Sequence, residues 1–170
     1  MLSRELFEHR ATKHEGHEKD FLTVGSMGHA SSIALGVGLN KPNRLVFCLD
    51  GDGSVIMHMG SMATIGQNGT KNIKHIIFNN GSHDSVGGQL TDAHNDSFSF
   101  CKIALGCGYK QALCVETDEE IKEAVKLVRK TDGPVLLEIK CAGGHRKNLG
   151  RPSRNPQENK SDFMHFLAIN

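Results

Sequence analysis

The sequence predicts an α/β fold in which a parallel sheet is covered by helices on both faces. A near-continuous apolar run at residues 44–49 is typical of a strand that is buried on both sides of such a sheet, and residues 73–78 are predicted to form a second strand. Segments of helical period follow these strands, and strands that alternate with helices form right-handed βαβ units. The 170 residues are enough for a core, so we predict a single domain over residues 1–170.

The N-terminal elements come first. A polar segment over about residues 1–20 carries a short helix, and residues 21–24 are β-prone. Residues 25–28 form a turn that opens a helix of small residues, to about residue 39. After the strand at 44–49, Val55, Met59, Met62 and Ala63 recur at helical spacing and predict one helix, which residues 66–70 break.

The C-terminal elements begin after the strand at 73–78. A loop without clear period covers residues 82–96. Thr117 and Glu120 form a capping box, in which each side chain satisfies a backbone N–H at a helix start. We predict, in order, a helix at 97–105, a strand at 110–115, a capped helix that buries Ile121, Ala124, Val125 and Val128, a strand at 134–139, and a basic loop with a last helix over about residues 143–170.

Composition excludes several classes of function. The formal net charge of +1 offers no bulk attraction to nucleic acid or an anionic membrane. No apolar stretch approaches the roughly 18 residues that a membrane helix needs, and the N-terminus lacks the apolar core of a signal peptide. An odd number of cysteines without a C-x-x-C pair predicts reduced, buried thiols and a cytoplasmic protein. The cysteines are Cys48, Cys101, Cys107, Cys114 and Cys141.

Polar residues follow two consecutive predicted strands, at residues 50–53 and 79–82. Ligands of parallel sheets bind beyond the carboxyl ends of the strands, so both loops are expected to face one site. Asp52 offers a carboxylate, Asn80 an amide oxygen and Ser82 a backbone carbonyl. Such hard oxygen ligands suit Mg²⁺, which often shares them with phosphates. The sequence therefore predicts a magnesium site.

The first loop also suits a phosphate. Gly51 and Gly53 permit close approach to the backbone. Ser54 is predicted to open a helix whose N-terminal N–H groups attract anions. Together the loops predict a site for a diphosphate that is bridged by magnesium.

The motif spacing resembles the signature of thiamine diphosphate (ThDP) enzymes, in which Gly-Asp-Gly is followed by Asn-Asn after about 25 residues. This resemblance implies the ThDP-binding fold, and it implies Asp52, Asn80 and the Ser82 carbonyl as metal ligands. Residues 25–28 are similar to the segment that contacts the aminopyrimidine ring. There Met27 would wedge under the cofactor, and the carbonyl of Gly25, beside Ser26, would accept a hydrogen bond from the 4′-amino group.

Four further segments resemble the phosphonopyruvate decarboxylase family, at residues 3–8, 21–31, 79–89 and 149–152. The resemblance runs nearly end to end. It implies a carboxy-lyase that converts 3-phosphonopyruvate to phosphonoacetaldehyde and CO₂ in phosphonate biosynthesis. The candidates for acid–base or substrate contacts adjoin the cofactor segments and are His29, His83, Asp84 and Gln89, of which the first three are the predicted catalytic residues.

The resemblance also implies a partner. ThDP enzymes build each site from two domains, and the one that presents a glutamate to the pyrimidine ring has no counterpart here. A first strand that precedes the Ser-Arg-Glu-Leu helix in the family is also missing. The expectation is a subunit or fragment that needs a pyrimidine-binding partner, works as an oligomer and is inactive by itself.

Three alternatives stay open at this point. The chain resembles the β-type subunit of sulfopyruvate decarboxylase, whose substrate differs mainly in its sulfonate. A non-catalytic ThDP-fold fragment or interaction domain would keep the fold without the reaction. A subunit of a ferredoxin-linked oxidoreductase is disfavoured because the cysteines lack the spacing of an iron–sulfur cluster.

Overall fold

The computed structural model describes residues 1–169. Contacts between residues group it into two compact units. The terminal unit comprises residues 1–27 and those from 145 onward, and the central unit comprises residues 28–144. The assignment of one domain to the whole chain stays a prediction.

The described residues form helices and strands in the predicted alternation. Their order is α1 (Leu2–Thr12), α2 (Ala30–Asn40), β1 (Val46–Gly51), α3 (Asp52–Met57), α4 (Gly60–Asn68), β2 (Ile73–Asn79), a 3₁₀ turn (Asp92–His94), α5 (Phe100–Cys107), β3 (Gln111–Val115), α6 (Asp118–Lys130), β4 (Val135–Lys140) and α7 (Pro156–Ile169). No described helix has both the length and the apolar character that a bilayer crossing requires.

The four strands form one parallel sheet in the order β1-β2-β4-β3. β2 and β4 are central, and every residue of β2 except Phe78 is buried. One face of the sheet packs Ile73, Ile77 and Leu136 against helices α2 to α5. The other face packs Val135 and Leu137 against α6. Helices therefore cover both faces, which confirms the predicted α/β class.

Local capping also follows the sequence. The Thr117 hydroxyl accepts a hydrogen bond from the Glu120 N–H, and the Glu120 carboxylate accepts from the Thr117 N–H, so the predicted capping box is present. The hydrogen bonds that the Glu120 carboxylate accepts from the N–H groups of Thr117 and Glu116 lower its pKa. Of the residues predicted to be buried by α6, Val125 is exposed and the prediction for it was wrong.

Two predicted elements differ from the structure. Residues 21–24 form no strand, because side chains satisfy the backbone there: the Leu22 N–H donates to Asn159 and the Thr23 carbonyl accepts from the Ser3 hydroxyl. The predicted helix after β1 is two helices, α3 and α4. His58 leaves the helical conformation between them, with φ −133° and ψ 46°. Because only one residue is non-helical, the apolar residues of α3 and α4 keep almost the spacing of a single helix. The sequence periodicity therefore could not reveal the break.

Burial at the sheet edges also differs from expectation. β1 is an edge strand, and Phe47 is 43% exposed, so this strand is not buried on both faces. Among the cysteines only Cys48 is buried, while Cys114 and Cys141 are exposed. Cys114 lies on β3, the other edge strand, and Cys141 follows the end of β4. The order of strands in a sheet depends on tertiary contacts. An apolar run in the sequence therefore does not show whether its strand lies at the edge or in the centre.

Within the terminal unit, polar contacts connect residues distant in sequence. Arg10 donates to Asp20 through Nε at 2.8 Å and Nη2 at 3.0 Å. Asn159 of α7 is buried and donates to the Asp20 carbonyl at 2.8 Å. Arg146 of the basic loop pairs with Glu5 and Glu8 of α1. These contacts attach the first residues of the chain to the last helix.

The approach of α4 to α5 gives a test of the fold. A Cβ at Gly66 would lie 2.0 Å from the Cys107 carbonyl oxygen. Because this neighbour is backbone, we expect Gly66→Ala to lower the free energy of unfolding by about 1–3 kcal/mol, as overpacking does. Urea denaturation measures the change.

The matched control is Gly106→Ala in α5, where a Cβ would meet no atom within 4 Å. Here alanine should be neutral or stabilising by about 0.5–1 kcal/mol, because glycine disfavours a helix interior. Equal destabilisation by both variants would refute the close packing of α4 on α5.

Candidate functional site

The two predicted loops leave neighbouring strands at the same edge of the sheet. β1 and β2 are parallel, and Gly51 pairs in register with Phe78. Asp52 therefore follows β1 where Asn79 ends β2 and Asn80 follows it. The structure brings these two loops together as the sequence predicted, at the carboxyl ends of the strands.

Asp52 is held by Thr91, which lies beyond the second loop in the sequence. It is the first residue of α3 and is 2% exposed. Its Oδ2 accepts a hydrogen bond from the Thr91 hydroxyl at 2.5 Å. The Thr91 N–H donates in turn to the Gly81 carbonyl at 3.0 Å. This chain of bonds connects Asp52 to the loop of Asn80 and leaves its Oδ1 available to a ligand.

The two asparagines have different surroundings. Buried Asn79 donates to Glu138 of β4 at 2.7 Å and accepts from the Gly81 N–H at 3.1 Å, so it shapes the turn. Asn80 accepts from the Ser82 N–H at 3.2 Å and donates to Asp84 at 2.6 Å. An amide oxygen has two lone pairs, so Asn80 Oδ1 keeps one for a cation.

Asp84 organises the loop around Asn80. Its Oδ2 accepts from Asn80 Nδ2 at 2.6 Å and from the Gly144 N–H at 2.7 Å. Its Oδ1 accepts from the Ser82 hydroxyl at 2.9 Å. Three hydrogen bonds fix this carboxylate and orient both Asn80 and Ser82.

His83 lies against the first loop. A Cβ at Gly53 would stand 2.5 Å from both Cε1 and Nδ1 of its ring, so only glycine at this position permits the observed approach. The space beside Gly51 is open, with no atom within 4 Å of an ideal Cβ. The two glycines thus differ in role. Gly53 permits the close approach of the His83 ring, and Gly51 leaves room for a ligand.

His29 lies near the other end of α3. Its ring centroid is 4.3 Å from that of His58. The Gly28 N–H, one residue earlier, donates to the Ser54 hydroxyl at 3.0 Å. The helix begins at Asp52 rather than at Ser54 as predicted, and Ser54 instead connects α3 to the segment that precedes α2.

Gly25, Ser26 and Met27 belong to the terminal unit. Gly25 and Ser26 both have positive φ, 72° and 48°. A non-glycine residue in this region is uncommon, and such backbone strain is concentrated at functional positions. Both residues are exposed, and Met27 is half-buried. The role of this segment next to a pyrimidine ring stays a prediction.

The negative charge of the site is visible in a neighbouring thiol. Although Cys141 is exposed, partial desolvation of its thiol and then the carboxylates of Asp52 and Asp84 raise its pKa. Two carboxylates that destabilise an added anion favour a cation in the same place. Carboxylate, amide and carbonyl oxygens are the ligands that Mg²⁺ prefers, so the residues present fit a magnesium ion that shares phosphate oxygens.

Three residues of the site were missed by sequence reasoning. Thr91 holds Asp52, Glu138 holds Asn79, and His58 lies on His29. Thr91 and Glu138 are far from their partners in sequence and carry no motif. His58 had a usable signal, because it stands four residues after Ser54 and helical spacing brings such positions to one face.

Known proteins resemble this chain over most of its length. Residues 5–139 match the model of the family described as "Thiamine pyrophosphate enzyme, C-terminal TPP binding domain". Phosphonopyruvate decarboxylase of Streptomyces viridochromogenes is 36% identical over 154 residues, which are 91% of this chain and 38% of that protein. Sulfopyruvate decarboxylase subunit beta of Methanococcus maripaludis is 36% identical over 165 residues, which are 97% and 84% of the two chains.

A solved structure shows the same fold. The thiamine diphosphate-dependent 4-hydroxybenzoylformate decarboxylase of Rhodococcus jostii RHA1 aligns with a TM-score of 0.59 and 24% identity over 71% of this chain and 24% of that one. The chain thus spans well under half the length of the phosphonopyruvate decarboxylases that it matches. Because the family model covers most of the chain, the protein belongs to the thiamine pyrophosphate enzyme family and carries its C-terminal TPP-binding domain.

Proposed function

We propose that this chain supplies the diphosphate- and magnesium-binding side of a ThDP-dependent 2-oxo acid decarboxylase, with 3-phosphonopyruvate as substrate. The observation that carries the proposal is the joining of two motif loops at adjacent strand ends. Asp52 and Asn80 reach the same edge of the sheet, and Thr91 connects their loops through the Asp52 carboxylate and the Gly81 carbonyl.

The chain's own residues would hold the metal and the diphosphate. Asp52 Oδ1, Asn80 Oδ1 and the Ser82 carbonyl are the proposed metal ligands. The open space beside Gly51 gives phosphate oxygens room to approach the backbone. When bound, ThDP supplies the electron-accepting ring that allows a 2-oxo acid to lose CO₂.

Asp84 suits a positioning role better than proton transfer. Its carboxylate accepts three hydrogen bonds from nearby protein groups. Two of these come from the side chains of Asn80 and Ser82 and orient them. Outer partners of this kind fix the direction of metal ligands. We therefore assign Asp84 to the support of the metal loop.

The imidazoles are the proposed proton carriers. His83 lies against Gly53, next to the proposed ligand Asp52. His29 is exposed and stacks near His58. An imidazole ring nitrogen can hold or release a proton, which suits these side chains to give and take one during decarboxylation.

A sulfonate substrate is the second candidate. The favouring observation is similarity: a relative named sulfopyruvate decarboxylase subunit beta is 36% identical over 97% of this chain, the same identity that a phosphonopyruvate decarboxylase shows over 91%. Because that relative is named as one subunit of an enzyme, it supports a separate partner subunit that provides the pyrimidine side. Both substrates are 2-oxo acids with a second anionic group, so the cofactor side of the site would serve either.

The first prediction concerns the metal ligand. Asp52→Asn removes the carboxylate charge from the site, so the affinity for ThDP in the presence of Mg²⁺ should fall. Losing a residue that only orients a metal ligand typically lowers affinity by roughly 10- to 100-fold, and the loss of the ligand itself should lower it by more. Isothermal titration calorimetry with ThDP, with and without Mg²⁺, measures it. Asp132→Asn is the matched control, because Asp132 is 70% exposed.

The proposal fails if the unaltered chain binds ThDP no better with Mg²⁺ than without it. It also fails if Asp52→Asn and Asp132→Asn bind equally well. A non-catalytic fragment that keeps only the fold would give the first of these results.

Thr91 gives a second prediction. Thr91→Val keeps the side-chain volume but removes the hydroxyl that donates to Asp52. We expect magnesium affinity to fall by about 10- to 100-fold, because outer-shell partners of metal ligands typically contribute this much. Thr64→Val, at an exposed position of α4, should leave the affinity unchanged. Equal affinities for the two variants would show that Thr91 does not orient the ligand.

Substrate choice gives a third prediction. Reconstituted with a subunit that supplies the pyrimidine side, the chain should convert 3-phosphonopyruvate to phosphonoacetaldehyde with a higher kcat/KM than sulfopyruvate. Coupled assay of the aldehyde product measures both reactions. A higher kcat/KM for sulfopyruvate would assign the chain to the sulfonate reaction instead.

A further inference from the structure

A second group of metal-binding side chains lies inside the sheet. Cys48 and His75 are direct neighbours in the register of β1 and β2. Asp50 stands two residues after Cys48 and so points to the same face. The exposed fractions of Cys48, Asp50 and His75 are 4%, 3% and 0%, and one ligand atom from each lies within 4.8 Å of the other two.

Two polar atoms in this group have no hydrogen-bond partner among the described residues. They are Asp50 Oδ2 and His75 Nε2. They face each other at 3.7 Å, which is beyond a hydrogen bond. A buried carboxylate without a partner is strongly destabilising. These two atoms therefore offer a cation two buried ligands that no hydrogen bond among the described residues engages.

A hydrogen bond to the other polar atom of each side chain fixes the orientation of Asp50 and of His75. Asp50 Oδ1 accepts from the Gly51 N–H at 3.0 Å. His75 Nδ1 forms a hydrogen bond with the buried Tyr109 hydroxyl at 3.1 Å. When the phenol oxygen accepts this bond, Nε2 is unprotonated and offers its lone pair toward Asp50. Metal-bound histidines are typically oriented through their second nitrogen in the same way.

We propose that Cys48, Asp50 and His75 bind one divalent transition-metal ion of the zinc type, at a site separate from the proposed magnesium ligands. Zinc lies roughly 2.0–2.3 Å from oxygen, nitrogen and sulfur ligands, so two ligands of one ion are at most about 4.6 Å apart. The 3.7 Å between Asp50 Oδ2 and His75 Nε2 is within that limit, and the three ligand atoms lie within 4.8 Å of one another, so Cys48 needs at most a small adjustment.

Charge and ligand softness support this choice of ion. A thiolate, a carboxylate and a neutral imidazole with a divalent cation form a neutral group, which a hydrophobic core tolerates. Thiolate and imidazole favour zinc-type ions, whereas Mg²⁺ prefers oxygen ligands. Burial and the Asp50 carboxylate raise the pKa of Cys48. A bound cation would reverse this effect and favour the thiolate.

The ion would connect the edge strand to the sheet. Cys48 and Asp50 belong to β1, which has one neighbouring strand, and His75 belongs to central β2. Because the ligands are inaccessible in the folded chain, the metal would enter during folding, and its binding energy would add to stability. Its role is structural and differs from that of the metal at the strand ends.

The test uses the full chain expressed in zinc-supplemented medium and purified without chelator. Elemental analysis by mass spectrometry should find zinc in a one-to-one ratio with the chain. Refolding with Co²⁺ in place of zinc should give a thiolate-to-cobalt charge-transfer band in the near ultraviolet. Excess Mg²⁺ should not remove it.

Three variants separate this site from the rest of the chain. Cys48→Ser should lose the metal and the cobalt band, while Cys114→Ser, at the exposed cysteine of β3, should keep both. Asp52→Asn should also keep them, because it alters only the proposed magnesium site. Zinc removal from the unaltered chain by a chelator during unfolding and refolding should lower its Tm.

The proposal is overturned if the unaltered chain carries no stoichiometric transition metal and gives no cobalt band. It is also overturned if Cys48→Ser and the unaltered chain give the same band. Because the first result needs no variant, a folding failure of Cys48→Ser leaves the test decisive.

Discussion

The parallel pairing of β1 with β2 is the constraint on which the other features depend. Their register, with Gly51 beside Phe78, determines where the chain leaves the sheet after each of these two strands. It brings Asp52 and Asn80 to one edge and leaves the connecting loops to complete the site. A shift of one residue would turn the side chains of β1 to the opposite face, because strand side chains alternate, and it would displace Asp52 along the edge relative to Asn80.

At this edge the sheet and its loops bring several carboxylates close together, and hydrogen bonds hold each of them. Asp52 accepts from Thr91, Glu138 accepts from Asn79, and Asp84 accepts three hydrogen bonds. Asp50 and His75, one step deeper in the sheet, keep facing atoms unpartnered. A cation beyond the strand ends and a second cation between β1 and β2 would each balance carboxylate charge that the chain itself leaves uncompensated.

Sequence reasoning succeeded where the determinants are local. The apolar runs, the capping box of Thr117 and the Gly-Asp-Gly loop each depend on residues close together in the chain, and the parallel rule then placed both motif loops at one edge. It failed where a tertiary contact decides. The edge position of β1, the exposure of Val125 and the partner of Asp52 depend on residues far away in sequence. The break at His58 escaped because a single residue hardly disturbs the helical period.

The most direct measurement of the central claim replaces Mg²⁺ by paramagnetic Mn²⁺ and records electron–nuclear double resonance of the chain with ThDP. If Asp52 and Asn80 hold a metal that bridges to the diphosphate, the Mn²⁺ signal should show strong coupling to phosphorus, and Asp52→Asn should abolish it. A bound Mn²⁺ without phosphorus coupling, or a coupling that Asp52→Asn leaves unchanged, would contradict the proposed site.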